Sequence, residues 1–136
     1  LIIVTAKMQA DRFSGGFRLK MEQIMDLGQA RCRYGKYLRV AVNGRAPDIA
    51  RLVKEFPAQR EQTEQGELVR GLPVRLQLER RNEALGARAE LALGEQARFF
   101  PSDAALASWM AQADQGQAHI VYEDNNPILT LRTVSQ

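Results

Sequence analysis

Cysteine, histidine and long apolar runs are what these 136 residues have least of. Cys32 is the only cysteine, so no intrachain disulfide can form and a cysteine-based zinc site would lack its other thiolates. A chain without disulfides fits a reducing compartment, and the cytoplasm is the expected location. His119, the single histidine, has no second ligand-type residue at metal spacing. No P-loop, GxSxG or HExxH pattern occurs. The carboxylates Asp11, Glu22, Asp26 and Asp124 are not spaced to bring two oxygens to one point, so no catalytic residue, metal site or cofactor is expected. No run of about eighteen apolar residues is present, which argues against a membrane-spanning helix. The start, LIIVTAK, has neither an initiator methionine nor the basic flank of a signal peptide, and the chain is expected to be cut from a longer protein.

What is present is an ordinary globular composition, 45% hydrophobic and 26% charged, with a net charge of +3 that hides a division. Residues 1–45 carry nine bases against three acids; the remaining 91 carry ten bases against thirteen acids. Such asymmetry separates an end suited to a polyanion from an end suited to something else.

The basic end opens with two alternating stretches. Ile2, Val4, Ala6 and Met8 alternate with Leu1, Ile3, Thr5 and Lys7, and Phe17, Leu19 and Met21 alternate with Arg18, Lys20 and Glu22. That is the two-residue period of half-buried strands. Between them Asp11, Arg12, Phe13, Ser14, Gly15 and Gly16 supply the glycines a tight reversal needs, and a β-hairpin is predicted. Lys7, Arg12, Arg18 and Lys20 gather near the turn, where Phe13 offers a ring for a base to stack on, a combination that suits single-stranded nucleic acid. The same residues also fit a solvated hairpin whose Phe13 tucks into a neighbouring core.

The run LIIVTAKMQADRFSGGFRLKMEQIMDLGQAR resembles the end of the oligonucleotide-binding (OB) domain in the alpha subunits of bacterial DNA polymerase III. The matching pieces are the strand LIIVTAK, the loop DRFSGG and the segment MEQIMDLGQAR; the match is strong to Arg39, and beyond it only the order of elements supports it. The resemblance implies that residues 1–36 are the last two strands and trailing helix of an OB barrel, and 37–136 a C-terminal domain that binds the tau subunit of the clamp loader, with other replicative holoenzyme subunits as further partners. It assigns Arg12 and Phe13 to contact with single-stranded DNA, with Lys7, Arg18 and Lys20 as electrostatic support. The metal-binding aspartates of the polymerase would lie upstream. Two strands cannot close a five-stranded barrel, so self-association through the exposed hairpin edges is a further expectation.

Along the rest of the chain, Asp26 and Gln29 have the spacing of a capping box, and Gly35 is placed to end a short helix. A strand over Leu38, Val40 and Val42 is followed by a helix over Ile49, Leu52, Val53 and Phe56. The polar stretch 58–71 reads as a mobile loop or a frayed helical extension. Strands over Val74, Leu76, Leu78 and over Ala87, Ala89, Leu91, Leu93 come next, and Ser102 caps a helix with Leu106, Trp109, Met110 and Ala113 as its buried stripe. A strand at His119–Glu123 precedes a β-prone tail, in which Ile128, Leu129, Leu131 and Val134 are the candidates for partner docking. The fold class is α+β: a hairpin and short helix, then a ferredoxin-like β-α-β-β-α-β domain with an antiparallel sheet. Because that arrangement serves many functions, a small-molecule-sensing regulatory domain is the alternative to a replication module.

Overall fold

A computed structural model describes residues 1–81 and 86–122. The tail residues Ile128, Leu129, Leu131 and Val134 lie outside the described residues, as does the predicted turn at 124–127. The architecture is α+β. Strands β1 (Ile2–Ala10) and β2 (Phe17–Asp26) form an antiparallel hairpin with its own two-stranded sheet. Helix α1 (Leu27–Tyr34) follows directly. Asp26 accepts the Gln29 amide at 2.7 Å while the Gln29 side chain accepts the Asp26 amide at 3.1 Å, which completes the expected capping box. Gly35 takes an extended conformation, so space rather than backbone freedom requires it: a Cβ there would stand 2.6 Å from the Arg31 carbonyl oxygen and 2.9 Å from Ile120.

Strand β3 (Gly35–Val42), helix α2 (Ile49–Glu55), a second hairpin of β4 (Gln59–Thr63) and β5 (Gly66–Arg70), strands β6 (Val74–Arg81) and β7 (Gly86–Ala92), helix α3 (Asp103–Gln112) and strand β8 (Ala118–Tyr122) follow among the described residues. The main sheet runs β7-β6-β3-β8. Leu38, Val40 and Val42 of β3 and Val74 and Leu76 of β6 bury one face of it against Leu52 of α2 and Trp109 of α3. Phe99 packs its ring 5.7 Å from that of Trp109 at the centre, and burying a side chain of this size stabilises the fold by roughly 1.5–3 kcal/mol.

Three expectations need correction. The β4–β5 hairpin interrupts the expected β-α-β-β-α-β order, and the sheet is not ferredoxin-like even with that hairpin set aside: β3 and β6, connected through α2 and the hairpin, are parallel neighbours, whereas a ferredoxin-like sheet splits that pair with another strand. The cause is register. Leu38 opposes Val74 and Val40 opposes Leu76, so two matched apolar rows lie side by side beneath the helices. The stretch 58–71 is neither loop nor helix. Its β4–β5 hairpin turns at Gly66 (φ 124°) and carries cross-strand ion pairs Arg60–Glu67 at 3.4 Å and Arg70–Glu61 at 3.6 Å. In α3 the buried residues are Ala105 and Trp109, while Met110 is exposed because it falls on the side turned from the sheet.

Candidate nucleic-acid interface

Pairing in the first hairpin runs from Ile2 opposite Asp26 to Ala10 opposite Phe17, with one irregularity. Thr5 opposes Gln23 and Ala6 opposes Met21, leaving Glu22 as the extra residue of a β-bulge. Its effect is on parity. In a regular strand Ile24, Glu22 and Lys20 would share a face, but the bulge puts Ile24 with Met21, Leu19 and Phe17. One face is therefore continuously apolar, formed by Ile2, Val4, Ala6 and Met8 with those four, and its large side chains are exposed. The other face pairs Lys7 with Lys20 and Gln9 with Arg18, and near the base Ile3 with the buried Met25.

The tip is ordered by Asp11. Its carboxylate accepts the Phe13 amide and the Ser14 hydroxyl, each at 3.0 Å, and its own amide donates to the Gly16 carbonyl at 2.8 Å. Gly15 takes φ 71°, the left-handed region that closes the turn. These donors hold the Asp11 carboxyl below the usual carboxylate range, the Phe13 amide contributing most. Phe13 is fully exposed at 101%, not tucked into a core, so its ring is available. No ion pair reaches Lys7, Arg12, Arg18 or Lys20 from any described residue. The structure thus gathers Lys7, Arg18 and Lys20 on one face and places Arg12 and Phe13 at the turn beyond it.

Sequence reasoning missed two further groupings of cations. On the sheet face away from the helices, Arg39 opposes both Arg75 and His119 and pairs with Glu90 at 3.8 Å, and Arg75 lies 4.2 Å over the Tyr37 ring. Beneath the hairpin, a cavity of about 400 Å³ lies between β2, α1 and the β5 end, lined by Gln23, Cys32, Arg33, Arg70 and Arg98 among others. Arg70 and Arg98 are too far apart in sequence for any local pattern to join them. Among the described residues no three His, Cys, Asp or Glu side chains converge as a metal site, and no helix is long and apolar enough to cross a membrane.

No family model matches the chain, and no solved structure matches it. Curated sequences do. DNA polymerase III subunit alpha of Escherichia coli K12, and the same subunit of strains O157:H7 and CFT073, are each 30% identical over 109 residues. This chain is a distant relative of part of the DNA polymerase III alpha subunit. The match takes in 78% of the chain, so it reaches well beyond the hairpin into the α+β region. The chain spans about 8% of the length of these alpha subunits.

Proposed function

We propose that the chain is a non-catalytic C-terminal part of a replicative polymerase alpha subunit, which guides single-stranded template DNA and tethers the polymerase to the tau subunit of the clamp loader. Residues 1–36 supply the last two strands and trailing helix of an OB-type barrel, and 37–136 form the partner-binding domain. Nucleotidyl transfer and its divalent metal ions belong to upstream parts of the parent polymerase.

The observation that carries this reading is the two-faced hairpin. Its apolar face is what a barrel interior needs, and a preceding segment of the same polymerase is the natural cover. Its basic face and exposed Phe13 combine backbone neutralisation with base stacking. The alpha-subunit relatives supply the context of replication. Tau tethering rests on the resemblance and on the tail carrying Ile128, Leu129, Leu131 and Val134.

Binding of a labelled single strand to a chain extended upstream tests the DNA half. Affinity falls steeply with salt and drops when Arg12 and Lys20 are replaced by glutamate; salt-independent binding, or none, contradicts it. For the partner half, deletion of 128–136 abolishes capture of the tau subunit, and unchanged capture counts against the tail. The small-molecule-sensing alternative loses its motive, since the sheet does not have the ferredoxin-like strand order.

A further inference from the structure

We infer that the cavity beneath the hairpin is a phosphate-binding site, in which Arg33, Arg70 and Arg98 hold a phosphate of a single strand lying along the basic hairpin face. The inference rests on the reading of the hairpin as a nucleic-acid surface and extends it to residues that no local sequence motif joins.

Composition of the wall comes first. Three arginines, two glutamines and three apolar side chains are among the lining residues of the cavity, and no carboxylate is. Glu61 and Glu95 pair with Arg70 at 3.6 Å and with Arg98 at 2.6 Å, but their side chains are 62% and 77% exposed and lie outside the lining. Arg98 also donates to the Gly71 carbonyl at 3.3 Å, and Arg33 donates to the Gln23 side chain. These contacts position the guanidinium groups without exhausting them, because each has five N–H donors in a planar fork that matches phosphate oxygens.

Register makes the cavity continuous with the hairpin. Gln23 opposes Thr5, Lys7 opposes Lys20 and Gln9 opposes Arg18, so Gln23 shares the face that carries Lys7, Lys20 and Arg18. From Arg18 to Gln23 is about 16 Å of strand. A backbone following the cations from the tip along this face therefore arrives at the arginine-lined cavity.

Cys32, the only cysteine, lies in the wall and reports on occupancy. Burial pushes its thiol up to about 11, with Arg70 pulling the other way, so the free protein alkylates slowly and a ligand in the cavity slows it further.

The test has two arms. In the first, fluorescence anisotropy of labelled oligo(dT) is followed against salt for the unsubstituted chain, Arg70→Gln, Arg33→Gln and Lys20→Glu. The expected result is weaker binding by both arginine variants, with the slope of log affinity against log salt reduced by about 0.7 for each lost contact. In the second, Cys32 alkylation by iodoacetamide is timed with oligo(dT) and with inorganic pyrophosphate, and the oligonucleotide slows it. If Lys20→Glu loses affinity while both arginine variants bind with an unchanged slope, the cavity inference is overturned and the hairpin reading stands. If pyrophosphate protects Cys32 and oligo(dT) neither binds nor protects, the site takes a free phosphate and the hairpin reading fails. If neither protects, the site itself is overturned. Thermal melts of the two variants confirm the fold.

Discussion

Lys7 lies directly opposite Lys20 across the first hairpin. Like charges in that position oppose strand pairing, and neither lysine has an ion-pair partner among the described residues. A bound polyanion would relieve both at once. Lys20→Glu is therefore expected to raise the melting temperature slightly, by forming a cross-strand pair worth roughly 0.2–1 kcal/mol, while lowering single-strand affinity. Thermal denaturation and anisotropy on the same samples check the two opposite signs.

Phe13→Ala separates binding from folding in the reverse sense. With its ring fully exposed, removal leaves the melting temperature unchanged. A lost stacking contact is expected to weaken oligo(dT) binding by about fivefold or more. Equal affinity for the two proteins would remove Phe13 from the interface.

The tip should loosen in acid. The Phe13 amide and the Ser14 hydroxyl hold the Asp11 carboxyl below the ordinary carboxylate range, so the order it confers is present above the unfolded value and is lost as pH falls through the lowered folded one. Protection of the Phe13 amide, measured relative to the unstructured-chain exchange rate at each pH, is expected at about pH 5 and is lost as pH falls through the lowered folded value. Asp11→Ala removes the carboxylate acceptor and with it the pH-dependent protection of the Phe13 amide.

Gly35→Ala tests the junction between α1 and the main sheet. The added Cβ would meet a backbone oxygen at 2.6 Å, which cannot move aside as a side chain can. Overpacking of this kind costs roughly 1–3 kcal/mol. Gly44→Ala is a poor control because its φ is 96°, whereas Gly94→Ala meets open space and leaves stability nearly unchanged.

Much of the hairpin was legible because its determinants are local. Alternation, the glycines after Phe13 and the Asp26–Gln29 spacing each act within a few residues, and each appears as expected. The β4–β5 hairpin escaped because every residue of β4 is exposed, so no apolar alternation marks it; Gly66 and the opposed charges were the available signal. Strand order escaped for another reason. Whether Leu38 pairs with Val74 or with a residue of another strand depends on contacts made across the sheet, which element order does not encode. The arginine cavity is likewise assembled from three separate segments.

The central claim is that a single strand lies on the basic face of the first hairpin. Its most direct test is a two-dimensional amide spectrum of the labelled chain titrated with oligo(dT). Shifts concentrated between Lys7 and Lys20, with Phe13 among the largest, are predicted. Saturating oligonucleotide that leaves those amides unmoved contradicts it.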